Sequence, residues 1–293
     1  MGIRAKPIAS NNMQPLYDYY SRVSTSIPYW DAVRFDIWQQ SMFSDIDADG
    51  ERLFRELHTY IACRDGEITG FIQFGKPSFI YNAKGKKQRR TNAGIIRNLY
   101  FAQGDTDVGE HLLQVANEYF AKKRCKRRWA FYHVFGMTCN ARHGKLYESC
   151  SHIESLLHSH NYVKEHENVY YKRPLSNADT LPESGIRIAY GTVSPQGFQN
   201  FQFYADNKCV GNGALQYLPQ GEQCFLTFIG IERSQQHKGY GTASLRQLFS
   251  DLAAQGIRRI DTDTADDNIR AQGLYIKTGF TDMGRTRSYI FYK

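Results

Sequence analysis

The chain has 293 residues, 41% hydrophobic and 14% aromatic, with a net charge of +8. That much apolar side chain builds a core and excludes a globally disordered protein, no apolar run reaches membrane-spanning length, and the length suits one large domain or two modest ones. The positive balance favours anionic partners, among them a phosphorylated co-substrate, an acidic substrate or nucleic acid.

The opening residues, MGIRAKPIASNNM, hold no apolar leader segment, and Lys6 spoils a myristoylation signal, so a cytoplasmic protein with no membrane partner is expected. Residues 13–43 and 49–60 (DGERLFRELHTY) both read as helical. IACRDGEITGFIQF (61–74) reads strand, turn, strand. IIRNLYFAQGDTDVGEHLLQVANEYF (95–120) reads strand, loop and amphipathic helix, with Leu112, Val115, Ala116 and Tyr119 on one face. A strand with basic residues at its mouth follows, and IESLLHSHNYVKEHENVYYK (153–172) reads helix then strand.

Two basic runs, KGKKQRR (84–90) and KKRCKRR (122–128), fall where a hairpin loop and a helix-to-strand turn are expected. Charge runs at such places are usually solvated, and no nucleic-acid-binding motif accompanies them, so nucleic acid is not assigned as a partner. His133, Cys139, His143, Cys150, His152, His158, His160 and His166 crowd one region, but their spacings match no standard zinc pattern, and no metal site is assigned. The six cysteines form no C-x-x-C pair and read as reduced thiols.

Residues 171–187 (YKRPLSNADTLPESGIR) read as a linker. The expected domains are therefore 1–173 and 185–293, joined by 174–184. Beyond the linker the pattern repeats. QFYADNKCVGNGAL (202–215) matches the earlier hairpin, with a glycine five residues after an aspartate in each (Asp65/Gly70, Asp206/Gly211). FLTFIGIERSQQHKGYGTASLRQLFSDL (225–252) matches the strand, loop and helix, now with Leu245, Leu248, Phe249 and Leu252 on one face. The second part carries only GIRIAYGTVSPQGFQN (185–200) where the first has its initial helices.

The loop in this repeat is built for phosphate. Gly239 and Gly241 lack a Cβ, so the backbone can approach a diphosphate with its N–H groups inward. The helix starting near Thr242 adds a positive end worth about 0.3–2 kcal/mol per anion. Gln236, His237 and Lys238 add donors. A dinucleotide turn is the competing interpretation, since GYGTAS approaches G-x-G-x-x-G and Asp261 lies some twenty residues on. It fails because ERSQQHK separates strand from glycine, and the chain ends too soon after Asp261 to complete a doubly wound sheet. Asn268 and Tyr275, seven residues apart, share one helix face. Aligning Gly109 with Gly241 puts Asp107 in the place of Gly239, so the first part is expected to leave such a site empty.

QHKGYG (236–241) fits Q/R-x-x-G-x-G/A, and NIRAQGLYIKTGF (268–280) fits N-x-x-A-x-x-L-Y-x-K-x-G-F. In this order and spacing the two motifs resemble the GCN5-related N-acetyltransferase (GNAT) family. The motifs lie within 185–293; over 1–173 the resemblance is architectural. It implies an α/β fold of two tandem GNAT-like units, each a mixed, mostly antiparallel sheet flanked by helices. It implies acetyl-CoA as co-substrate, its pyrophosphate held by Gln236, His237, Lys238, Gly239, Tyr240, Gly241 and Thr242 and its pantetheine arm contacted by Asn268. The backbone N–H groups of Ile229 and Ile231 would serve the thioester carbonyl, and Tyr275 would protonate the departing thiolate. A small-molecule or peptide amine would attack directly in a ternary complex, with no metal required and with the first unit shaping the acceptor site. The strand 224–231 carries no glutamate to act as base. Glu222, Glu232, Asp261 and Asp263 lie near it in sequence, and none is assigned. The alternatives are a non-catalytic acyl-CoA sensor and a nucleic-acid binder acting through the basic runs.

Overall fold

The computed structural model of the protein describes residues 3–43, 46–82, 85–89, 91–179 and 185–292. The chain forms two units: unit 1 is Met1–Glu167 with Thr286–Lys293, and unit 2 is Asn168–Arg285.

Unit 1 begins with β1 (Arg4–Pro7), helices α1 (Met13–Ser24) and α2 (Phe35–Phe43), and the hairpin of β2 (Phe54–Arg64) and β3 (Glu67–Pro77). A short ribbon of β4 (Ile80–Tyr81) and β5 (Lys87–Gln88) leads to β6 (Ala93–Phe101), helix α3 (Thr106–Lys122) and β7 (Arg127–Ala130). Then come β8 (Leu146–Tyr147), helix α4 (Ser151–Ser159) and the first residues of β9 (Val163–Pro174). Unit 2 takes over β9 at Asn168 and adds β10 (Ile186–Tyr190), β11 (Phe198–Ala205), β12 (Lys208–Tyr217) and β13 (Gln223–Ile231). It continues with helix α5 (Tyr240–Ala254), β14 (Arg259–Ala265), helix α6 (Ile269–Lys277) and the start of β15 (Thr281–Tyr292).

The two units share one sheet plan. In unit 1 the strands run β1-β2-β3-β6-β7-β15, and in unit 2 β10-β11-β12-β13-β14-β9. Pairing is antiparallel except for β6 with β7 and β13 with β14. Those parallel pairs are the ones joined by a crossover helix, α3 or α5, as parallel strands require. Both hairpins turn on two residues in left-handed conformation, Asp65-Gly66 (φ 51° and 89°) and Asp206-Asn207 (φ 46° and 61°), the geometry that matches strand twist. The registers slip at corresponding places too. Arg97 is the extra residue between the Gln73–Asn98 and Phe74–Ile96 pairs, and Thr227 between the Ala214–Phe228 and Leu215–Leu226 pairs.

The expected boundaries at 173 and 185 are crossed twice. Residues 168–174 of β9 pair with β14 in unit 2, and Tyr289–Tyr292 of β15 pair with β7 in unit 1. Unit 2 completes its sheet within the contiguous stretch Asn168–Arg285, whereas unit 1 takes its last strand from Tyr289–Tyr292, after unit 2 in the chain. Residues 180–184 of the expected linker lie outside the described residues, and Tyr171–Pro174 are strand.

Residues 49–60 are also not helical. The Asp47 carboxylate accepts the N–H groups of Asp49 and Glu51 at 2.9 and 2.8 Å, which closes a turn, and Phe54 onward pairs with β3. On α3 the buried face is Leu112, Leu113, Ala116 and Phe120, while Val115 and Tyr119 are only half-buried. On α5 it is Leu245, Leu248, Phe249 and Leu252, at most 1% exposed, packed on Phe203, Leu215, Leu226 and Ile260.

The basic run at 84–90 is not solvated at Lys87. Its ammonium is bonded to Asp47, Asp49 and Glu51, the last two at 2.7 and 3.1 Å. Lys84 and Arg90 lie outside the described residues. In the histidine-rich stretch, His152 bonds the Phe101 carbonyl, His158 the Tyr162 carbonyl and His160 the Glu110 carboxylate. Among the described residues no helix is long and apolar enough to cross a membrane.

Candidate active site

The parallel ladder of unit 2 is short. It runs from the Gln223–Arg259 pair to the Leu226–Thr262 pair and stops. Beyond it β13 continues to Ile231 and β14 to Ala265, so the two strands part. A cavity of about 690 Å³ opens between them. Residues 227–231 line one side, Asp263 and Thr264 the other, and α6 contributes Asn268, Arg270, Leu274 and Tyr275.

The backbone of β13 is oriented by its outer neighbour. The Glu232 N–H donates to the Val210 carbonyl at 2.9 Å, just past the Ile231–Gly211 pair. Antiparallel alternation then aims the N–H groups of Gly230 and Phe228 at β12, and those of Ile229 and Ile231 away from it, toward the cavity. The Ile231 carbonyl accepts the Gln236 side-chain amide at 3.0 Å, which ties the following loop to the strand end.

That loop holds two residues in left-handed conformation, His237 (φ 62°) and Gly239 (φ 83°). Helix α5 begins at Tyr240, two residues before the expected start, with Gly239 as its N-cap. A Cβ on Gly239 would meet open space, and Gln236, His237, Gly239, Tyr240, Gly241 and Thr242 all line the cavity. The N–H groups of this first turn have no intrahelical acceptor, so they and the helix dipole present positive charge to the cavity. Lys238 does not line it; its ammonium donates to the Gln235 side-chain oxygen at 3.1 Å. Gln235, which is buried, and Arg270 do line it, and the sequence pattern singled out neither.

Tyr275 reaches the cavity from α6 at only 4% exposure, its ring against Tyr171 at 5.4 Å and Phe280 at 5.3 Å. Burial raises its phenol above the usual range; a hydrogen bond with the Thr262 side chain opposes that shift, and the Asp263 charge adds to it. Asn268 caps α6, its Oδ1 accepting the Ala271 N–H at 3.2 Å and its Nδ2 donating to Thr264 at 3.0 Å. Of the carboxylates near β13 in sequence, Asp263 alone lines the cavity, and it accepts a hydrogen bond from Asn168. Asp261 is buried beside Arg259 (2.9 Å) and Tyr170 (2.9 Å), and burial raises its carboxyl against those partners. Glu222 pairs with Arg258. Burial pushes the Cys224 thiol up, which removes it as a thiolate nucleophile.

Residues 162–280 match the model of the acetyltransferase (GNAT) family. Unit 2 is a GNAT domain. The chain as a whole has the tandem GNAT fold. It is similar to a tandem GNAT protein from the clavulanic acid biosynthesis pathway, with a TM-score of 0.68 and 11% identity over 99% of this chain and 98% of the other. It is also similar to a GCN5-related N-acetyltransferase from Sphaerobacter thermophilus, with a TM-score of 0.66 and 11% identity over 99% and 95%. At such identities the likeness is one of fold. No curated protein matches the chain in sequence.

Unit 1 has the same plan but not the same site. Its parallel ladder also stops after one short run, at the Ile96–Ala130 pair. Between β6 and α3 there are only residues 102–105, where the GNAT domain has 232–239. Asp105 and Asp107 stand at the start of α3, both paired with Arg64, at 2.7 and 3.1 Å. Where the GNAT domain has its cavity wall, Arg97 is buried at 1% exposure and donates to the carbonyls of Phe135, Gly136 and Met42 at 2.7, 2.9 and 3.1 Å.

Proposed function

We propose that the protein is an N-acyltransferase that moves an acetyl or other short acyl group from acyl-CoA to an amine of a small molecule or peptide. The observation that carries this is the parted β13–β14 pair, whose cavity ends at the N-terminus of α5 and is flanked by Tyr275. The residues present suit the co-substrate. At Gly239, open space at the Cβ position and a φ of 83° leave the backbone free to meet a diphosphate, and the α5 N–H groups supply donors and the positive end of the helix, with the His237 side chain also lining the cavity. Arg270 stands ready for a further phosphate.

In this account the Ile229 and Ile231 N–H groups donate to the thioester oxygen as charge grows there; one such donor is typically worth about 10²–10³ in rate. The amine nitrogen bonds the acyl carbon as the carbon–sulfur bond breaks, Tyr275 gives its proton to the sulfur, an effect of about 10²–10⁴, and the proton shed by the nitrogen passes to solvent, from which the phenol is restored. Unit 1 binds no acyl-CoA in this account, because its shorter loop carries Asp105 and Asp107, which share the one guanidinium of Arg64 and leave a net negative charge where the phosphates would lie. Thiol release from acetyl-CoA in the presence of a panel of primary amines tests the activity. Binding without thiol release for every amine would favour a non-catalytic sensor instead.

A further inference from the structure

The turn from α3 to β7 and the turn from α5 to β14 are built alike. The N–H groups of Arg124 and Cys125 donate to the carbonyls of Ala121 and Phe120 at 3.0 and 2.9 Å, and those of Gly256 and Ile257 donate to Ala253 and Leu252, both at 3.0 Å. Arg124 and Gly256 are both left-handed, with φ of 54° and 84°. The parallel ladders extend the match. Arg127 opposes Ala93 where Arg259 opposes Gln223, so Arg128 holds the place of Ile260, Trp129 that of Asp261 and Asn92 that of Glu222.

The side chains differ in one direction. Unit 2 places glycine in the left-handed position, at no steric cost, and a fully buried isoleucine on the strand; unit 1 places an arginine at each. In unit 2 Arg258 pairs with Glu222 and Arg259 with Asp261, whereas unit 1 has Asn92 and Trp129 where those carboxylates stand. The turn of unit 1 has gained two cations and lost two anions with its backbone bonds kept. A cavity of about 300 Å³ lies against it, lined by Arg124, Lys126 and Arg128 with Phe120, Ala121 and Cys125. Arg128 is 8% exposed, its guanidinium over the Phe291 ring at 4.7 Å and the Phe120 ring at 5.7 Å. Its Nη1 donates to the Asn117 side chain at 2.9 Å, and its Nε is buried with no acceptor among the described residues. Alternation along β7 puts Trp129 on the opposite face, and Glu165, bonded to the Trp129 indole at 3.0 Å, lies with it. Among the described residues none of the three cations pairs with a carboxylate. Burial pushes up the Cys125 thiol and the Tyr162 phenol, so neither supplies a negative charge.

We propose that this cavity of unit 1 binds the phosphate group of a small phosphorylated molecule, with Arg128 as the buried ligand and Arg124 and Lys126 closing on it from the exposed rim. A guanidinium stays charged in a protein, and a buried charge without a partner is costly, so the counter-charge comes from outside the chain. The planar guanidinium fork matches two phosphate oxygens, and three cations suit a dianion better than a single carboxylate. The volume is at the low end for ligand pockets, which fits a phosphate on a small body. The proposal does not depend on the acyl-transfer reading.

Calorimetry of the full chain with inorganic phosphate, at a fixed low ionic strength, tests this. Wild type should bind it with a Kd on the order of 1 mM or tighter. Arg128→Met, which keeps the aliphatic bulk, should weaken that binding at least about 10-fold. Arg124→Gly, which copies unit 2, should weaken it about 3-fold or more and fold at least as well as wild type, because glycine suits the left-handed position. Arg124→Gly and Lys126→Ala, both at exposed positions, carry the test if Arg128→Met does not fold. Phosphate held at the α5 loop is common to all these proteins and cancels in the comparison. In saturating coenzyme A, which would fill that loop, the phosphate site of unit 1 should persist. Wild type that gives no phosphate heat, equal affinity in wild type and all the variants, or loss of all phosphate binding in saturating coenzyme A would each overturn the proposal. A single-stranded oligonucleotide that binds through these cations while inorganic phosphate does not compete would assign the surface to nucleic acid instead.

Discussion

Gly109 and Gly241 occupy the same point in two copies of one unit. A Cβ on Gly109 would stand 2.5 Å from the Phe101 ring and 2.8 Å from Leu156, and one on Gly241 would stand 3.5 Å from Leu274 and 3.8 Å from Ile231. In each case the neighbours are the end of the strand before the helix and the last helix of the unit. The difference in clearance sets unequal costs. Gly109→Ala should destabilise the protein by about 1–3 kcal/mol through overpacking. Gly241→Ala, in ordinary contact and inside a helix, should cost less than about 1 kcal/mol. Thermal melts of the two variants check the ordering.

Lys87 should be worth more than a surface lysine. Its side chain is 15% exposed, amid Asp47, Asp49 and Glu51. Lys87→Met leaves those carboxylates facing one another, and breaking a largely buried pair costs roughly 3 kcal/mol. Burial raises the Asp47 carboxyl, but Lys87 and the Glu51 and Asp49 N–H groups hold it below its usual value of 3.8. A depressed carboxyl stabilises the fold above its unfolded pKa, and that contribution is lost as pH falls through the folded value. The gap between wild type and variant should therefore be full at neutral pH and shrink below about pH 4. Urea unfolding at both pH values measures it, and a constant gap would reject the arrangement.

Removing residues 286–293 should destabilise unit 1 although these residues follow the GNAT domain in sequence. Tyr289 and Ile290 are 0% and 4% exposed, and Ile290 packs on Trp129, Ile95 and Phe54. Burial of two such side chains contributes about 3–6 kcal/mol. For the same reason a fragment of residues 180–293 should fail to fold alone, since it lacks the β9 residues that pair with β14. Circular dichroism of both truncations is the check; a native-like melt of either would contradict the strand assignments.

Much of this was legible in the sequence. The two Asp-initiated turns, the 3.6-residue stripe of α5 and the glycines of the loop each follow from local chemistry, so the tandem plan and the glycine loop that opens α5 could be read directly. Residues 49–60 could not, because LFREL carries good helix formers and its strand state is set by pairing with β3. Lys87 looked like part of a solvated run because its carboxylate partners lie 36–40 residues earlier. Gln235 and Arg270 had no motif to mark them, and neither did the exchange of β9 and β15 residues between units, which depends on ladder edges that periodicity does not report.

The phosphate loop carries the central claim. A carboxylate about 4 Å from a phosphate costs roughly 4 kcal/mol at an effective dielectric near 20. A helix N-terminus returns at most about 2 kcal/mol. By that sum unit 1, where Asp105 and Asp107 share the single guanidinium of Arg64 and keep a net negative charge, is expected to bind no acyl-CoA, and the sum applies more fully to an aspartate placed at Gly239, where a φ of 83° adds backbone strain. Calorimetric titration of the full chain with acetyl-CoA, for wild type and Gly239→Asp, tests this directly. The account predicts one acetyl-CoA per wild-type chain and no measurable binding to the variant; two per chain, or wild-type affinity in Gly239→Asp, would contradict it.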